Sequence, residues 1–180
     1  MAKDGHPEWI PMRAHGYSLM NLILTLFLVS ALITGLIALW RVQEQRQRVS
    51  ATVDVVHRAA ARTREIAMNQ SDGYASVVVS QIADIVPPNQ RTPTTGAATS
   101  LRTALNRPLS IVADGSYGFW VRLSALNVAE CRAVLRQVWT TYPRVRVNGT
   151  VLKSGMSSTL GDAQFAQCVG ASISIDVEGS

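Results

Sequence analysis

Few residues in this chain can do chemistry. Cys131 and Cys168 are its only cysteines. Two thiols permit one intramolecular bridge, and a loop of that length gains about 3–4 kcal/mol in a chain-entropy account. The alternative is a pair of reduced thiols buried in a cytosolic domain. Two cysteines exclude a multi-cysteine zinc or iron–sulfur framework. The histidines are His6, His15 and His57, all in the N-terminal third. A His-based triad or His-ligated zinc site in the C-terminal part is therefore excluded. No glycine-rich phosphate loop precedes a helix. Asp114 and Asp162 adjoin glycines and read as turn residues. Asp176 and Glu178 share a strand face and read as a solvated edge rather than an acid–base dyad. The expectation is no catalytic residue, no cofactor and no metal. One constellation remains. Arg144, Arg146 and Lys153 surround a predicted hairpin, and Arg132 and Arg136 lie one turn apart on a predicted helix. Together they read either as solvated charge or as a basic face for DNA or an anionic cell surface.

The elements that position these residues begin with a membrane-length helix. The chain has 180 residues, 17 Lys+Arg against 12 Asp+Glu, and a net charge of +5. Residues 19–40 contain no Asp, Glu, Lys or Arg. As a helix such a run crosses about 30 Å, the thickness of a hydrocarbon core. A domain this small cannot cover it on every side. Ahead of it, residues 1–16 balance Lys3 and Arg13 against Asp4 and Glu8. The apolar run is too long for an ordinary cleaved secretory signal, and no A-x-A-like site follows it. Arg41, Arg46 and Arg48 outnumber the leader's basic residues, so charge alone tilts toward a cytoplasmic C-terminus. A cysteine bridge requires an oxidising compartment and places the head in the periplasm instead.

Residues 41–70 hold no Pro or Gly. Val42, Val49, Val53, Val56 and Ala60 form one apolar stripe of a heptad-like helix. The pattern predicts a single helix of about 50 residues, roughly 75 Å long, ended by Ser71-Asp72-Gly73. Its second half lays the stripe on a head. There, 75–85 reads as a short helix with Val78, Ile82 and Ile85 inward, or as a strand through Val77-Val78-Val79. Residues 86–99 read as a loop around Pro87, Pro88, Pro93 and Gly96. Strands are expected over 109–112, 119–123 and at Ile173, Ile175 and Val177. Asn127 and Glu130 have capping-box spacing. They open a helix over 128–139 with Val128, Cys131, Val134, Leu135 and Val138 on one face. Asn148-Gly149 between 144–147 and 150–153 signals a type I′ hairpin. The fold class is α+β: a long N-terminal helix, half membrane-spanning and half amphipathic, packed on an antiparallel-sheet head with one disulfide.

GYSLM at 16–20, directly ahead of the apolar run, resembles the processing site of type IV prepilins. IADIVP at 82–87, GFWVRL at 118–123, NVAECRAVL at 127–135, VRVNG at 145–149 and the late Cys168 are similar to segments of type IVb pilins, including those of conjugative thin pili. The resemblance divides the chain into a leader (1–16), a long helix (17–70, spanning segment 19–40) and a head (71–180). It implies cleavage after Gly16 by a prepilin peptidase and N-methylation of Tyr17. It implies a single-pass stage in inner-membrane lipid, with the head in the periplasm. Extraction by the assembly machinery into an extracellular homo-oligomeric filament then follows, with a host or recipient cell surface as a further partner. Two positions depart from the family. Tyr17 stands where Phe or Met is usual, and Asn21 stands where the family has a glutamate that guides docking. Asn21 keeps a hydrogen bond and loses the charge. A minor pilin, a type II secretion pseudopilin and a membrane-anchored periplasmic adhesion domain are the alternatives.

Overall fold

In a computed structural model of the chain, residues 19–93, 99–115 and 118–179 are described. Residues 1–16, the expected leader, and Tyr17 lie outside them. The chain forms two compact units, Met1–Gln43 and Glu44–Ser180. Helix α1, Leu19–Met68, contributes to both.

In the N-terminal unit every described residue of α1 up to Gln43 is exposed, Leu22, Phe27, Ile33 and Trp40 among them. The segment is long and apolar enough to cross a membrane. Its two threonine hydroxyls are satisfied inside the helix. Thr25 Oγ donates to the Asn21 and Leu22 carbonyls at 3.0 and 2.9 Å, and Thr34 Oγ to the Ser30 carbonyl at 2.8 Å. Polar interruptions bonded this way are tolerated in an apolar surround. Val42, expected on the head-facing stripe, is 50% exposed and belongs to this unit.

In the head unit the valine stripe is real and wider than its heptad pattern. Val49, Thr52, Val53, Val55, Val56, Ala59, Ala60, Thr63 and Ala67 are buried. A helix lying on a sheet buries a broad face, not a coiled-coil seam. Thr52 Oγ accepts the Leu105 N–H at 3.2 Å, tying α1 to the sheet's far loop. The outward face is charged and paired along the helix, as in Asp54–Arg58 at 2.8 Å and Glu65–Arg62 at 2.7 Å. Such pairs each contribute about 0.2–0.5 kcal/mol. Gly73, at φ 59°, turns the chain away after α1.

The segment expected as a short helix is a pair of 3-10 turns, Gly73–Ser76 and Val79–Ile85. Ile82 is buried there, but Val78 caps the second turn and is 53% exposed, correcting its inward assignment. The expected loop also contains structure: a 3-10 turn at Pro88–Gln90, strand β1 (Arg91–Pro93) and the start of β2 (Thr99–Arg102). Next come β3 (Pro108–Ala113), β4 (Phe119–Leu126), α2 (Val128–Val138), β5 (Arg144–Val147) and β6 (Thr150–Ser154). The chain closes with the one-turn helix α3 (Asp162–Phe165) and β7 (Ile173–Glu178).

The strands form one seven-stranded antiparallel sheet in the order β1-β2-β3-β4-β7-β5-β6. The last strand thus lies inside the sheet, pairing Ile175 with Leu123 on one side and Val147 on the other. Side chains alternate across a strand. Phe119, Val121 and Leu123 of β4, Val145 and Val147 of β5, and Ile173, Ile175 and Val177 of β7 therefore join α1 and α2 in one core. The hairpin turn has Asn148 and Gly149 at φ 51° and 80°, as a type I′ turn requires.

Candidate functional site

The capping box that opens α2 is closed in both directions: Asn127 Oδ1 accepts the Glu130 N–H at 2.9 Å, and the Asn127 N–H donates to Glu130 Oε2 at 3.0 Å. Glu130 is buried and also takes a forked pair of bonds from Arg107, at 2.9 and 3.1 Å. This start fixes the rotation of α2. Cys131, Val134, Leu135 and Val138 face the core, Val128 is 39% exposed, and Arg132 and Arg136 face outward. Cys131 is bridged to Cys168, just beyond α3, with Cα atoms 5.8 Å apart and both residues fully buried.

The centre of the sheet face opposite the core is buried around an acidic side chain and an indole. Asp176 of β7 is 1% exposed and receives two bonds from Arg122 of β4, both 2.9 Å. The hydrogen bond to Asp176 raises the Arg122 pKa above its ordinary value, against the cost of burial. Removing Arg122 alone would leave a buried carboxylate, a loss of the order of 3–5 kcal/mol. Beside this pair, Trp120 is also nearly inaccessible. Its indole N–H donates to Asp114 at 2.8 Å, and the guanidinium of Arg146 lies 3.6 Å above its ring. Arg144 lies 5.3 Å from the same ring and pairs with Glu178 at 2.7 Å. Asp176 and Glu178 are therefore neither a solvated edge nor a dyad. Asp176 anchors Arg122 and Glu178 anchors Arg144, and with Arg146 over Trp120 these three arginines roof the sheet.

Lys153 is a correction. It is 1% exposed rather than a surface contact. The β5–β6 register carries a bulge, and Lys153 pairs with core-facing Val145. Its ammonium donates to the carbonyls of Trp139 and, at 2.7 Å, Tyr142, the chain leaving α2. It thereby caps the helix's C-terminal end, a favourable place for a cation. Burial lowers its pKa. Tyr142 in turn stacks on His57 of α1, with ring centroids 5.1 Å apart and its hydroxyl 2.9 Å from Nδ1. Burial pushes the Tyr142 phenol up to about 12, with Arg64 pulling the other way.

The five basic residues thus do not form one face. Arg144 and Arg146 belong to the sheet's roof and Lys153 to the interior. Arg132 and Arg136 alone border an open cleft of about 370 Å³ with Asp162, Phe165 and Ala166. Asn21 sits near the start of α1's described residues, exposed and beside Thr25. Among the described residues no group of three or more His, Cys, Asp or Glu could hold a metal. The roles of Trp120, Asp176 and Tyr142 were missed in the sequence. Alternation in RVRV and SIDVE places their side chains on faces, but the pairing needs β7 between β4 and β5.

A long helix laid on an antiparallel sheet whose last strand is internal, stapled from α2 to the segment after α3, defines the fold of a type IV pilin. A type IVb pilin from Salmonella typhi superposes with a TM-score of 0.51, at 10% identity over 73% of this chain and 97% of the other. TcpA, a type IV pilin from Vibrio cholerae El Tor, gives 0.49 at 13% identity over 74% and 99%. No protein-family profile and no curated protein sequence matches the chain.

Proposed function

We propose that the protein is a structural subunit of a bacterial type IV pilus, of the type IVb kind. The observation that carries this reading is a single helix with two surfaces in sequence. Its first half is apolar and wholly exposed, and its second half is the core of a head with the pilin fold. An all-round apolar helix is stable in lipid or packed against other such helices. The same surface therefore serves an inner-membrane precursor and the interior of a filament, an open assembly of heterologous contacts. On this reading a prepilin peptidase cuts after Gly16, Tyr17 becomes the methylated N-terminus, and the head matures in the periplasm before the assembly machinery extracts it. The bridge between Cys131 and Cys168 supports an oxidising compartment.

The test is mass spectrometry of sheared surface filaments from the native strain and from a Gly16 variant that resists cleavage. The expected result is a chain beginning at methylated Tyr17, and no filament in the variant. Filaments retained with an uncleaved Gly16 variant would overturn the reading. The neutral Asn21, where pilins carry a docking glutamate, supports a second reading as a minor subunit. A copy number far below that of another pilin in the same filament distinguishes it.

A further inference from the structure

Arg132 and Arg136 are outward, one turn apart on α2, and among the described residues neither has an ion-pair partner. They border a cleft of about 370 Å³, at the lower end of the range for small-ligand sites of roughly 300–1,000 Å³. The opposite wall is α3, which supplies Asp162 and the partly exposed ring of Phe165, with the methyl of Ala166 just beyond it. Two constraints hold the walls together. The bridge from Cys131, next to Arg132, reaches Cys168, three residues past Phe165. The Arg136 guanidinium also lies 5.6 Å from the Phe165 ring centre. The Asp162 carboxylate has no ion-pair partner among the described residues either.

We infer that this cleft is a binding site for an acidic saccharide, a sugar bearing one carboxylate. Each wall supplies a different part of the recognition. The paired guanidinium forks match a carboxylate. Phe165 and Ala166 offer an apolar strip to the C–H face of a sugar ring. Asp162, acceptor-only when ionised, suits hydroxyl donors. A polyanion such as DNA fits poorly, because Asp162 stands among the phosphates' contacts and the cleft's lining holds two cations beside it. The other arginines of the basic constellation, Arg144 and Arg146, are held by Glu178 and Trp120 and cannot extend the patch. The inference rests on the pilin reading for the cleft's access to other cells, but binding itself needs no assembly.

The experiment is calorimetric titration of the full chain in detergent micelles, at low and at physiological salt. The probes are sialyllactose and glucuronate, with lactose and inorganic phosphate as controls. The expected result is that at least one acidic saccharide binds, more weakly at higher salt, while lactose does not. Arg132→Gln and Arg136→Gln should each weaken that binding at least about tenfold, as loss of a charge-assisted bond implies. Asp162→Asn should weaken the saccharide and leave phosphate unchanged or tighter. Unaltered urea midpoints in the variants show that the head still folds. Equal binding of phosphate, undiminished binding by both arginine variants, or no binding of either acidic saccharide at low salt would each overturn the inference. Failure here leaves the pilin reading standing, since that is decided by Gly16 processing, and failure of processing leaves this titration intact.

Discussion

Tyr142 shows what burial does to one titratable group. Its phenol is held against His57 of α1 and raised from 10.0 to about 12 by burial. The folded chain therefore keeps a proton that the unfolded chain loses above about pH 10. Stability from this group is complete below about pH 10 and falls as pH rises toward about 12, by up to about 1.4 kcal/mol per pH unit. Lys153 has the opposite sign. Burial lowers its pKa below the ordinary 10.5, so its contribution grows as pH rises to that value and is level above it. Urea unfolding of the full chain in micelles between about pH 9.5 and 11.5 should show the fall from Tyr142, and Tyr142→Phe should remove it. A Tyr142→Phe midpoint that drops with pH as steeply as the parent's would refute the assignment. None of this was legible beforehand. Lys153 reads as one more cation beside a hairpin until the bulge in β6 turns it inward. Asp176 reads as solvent-facing until β7 is placed between two strands that carry arginines. A residue's environment depends on partners far along the chain, and local patterns do not encode that.

Elements whose causes are local were legible. α2 begins where the reciprocal bonds of Asn127 and Glu130 close it, and the β5–β6 turn forms where Asn148 and Gly149 accept positive φ. Strand β1 lies inside the stretch that reads as a loop, because Pro87, Pro88 and Pro93 mask a three-residue strand. The 3-10 turns before it lack the periodicity that marks longer helices. The staple is an element-level device as well. It ties α2 to a segment whose own structure is a single helical turn, Asp162–Phe165, too short to persist alone. Cys131→Ala with Cys168→Ala should lower the stability of the head by about 2–5 kcal/mol. Because the capping box is independent of the bridge, far-ultraviolet dichroism of the folded variant should keep its helix signal. Saccharide binding should fall, since the Phe165 wall is no longer fixed to the Arg132 wall. A urea midpoint unchanged by the double variant would show that the bridge adds nothing to folding.

At the scale of the molecule, an exposed apolar segment and a buried segment of α1 were visible in the sequence, but the boundary between them was not. The apolar run and the valine stripe were legible as two surfaces of one helix. The place where burial begins, at Val49 with Val42 left exposed, is set by how far the rest of the head reaches along α1. This predicts the outcome of two truncations. Residues 44–180 retain every buried position of α1 and lose the exposed apolar segment. That chain should be soluble without detergent and unfold in one cooperative transition. Residues 69–180 keep the whole sheet and lose Val49, Val53, Val55 and Val56. At about 1.5–3 kcal/mol per buried valine, those four side chains alone are worth about 6–12 kcal/mol. That is comparable to the entire stability of a domain, about 5–15 kcal/mol. Thr52 would also leave the Leu105 N–H without its acceptor. The shorter chain should therefore be aggregated or unfolded, read as loss of near-ultraviolet dichroism and of a urea transition. If residues 69–180 instead unfold cooperatively with a midpoint near that of 44–180, α1 is only an attachment to the head and not part of its core.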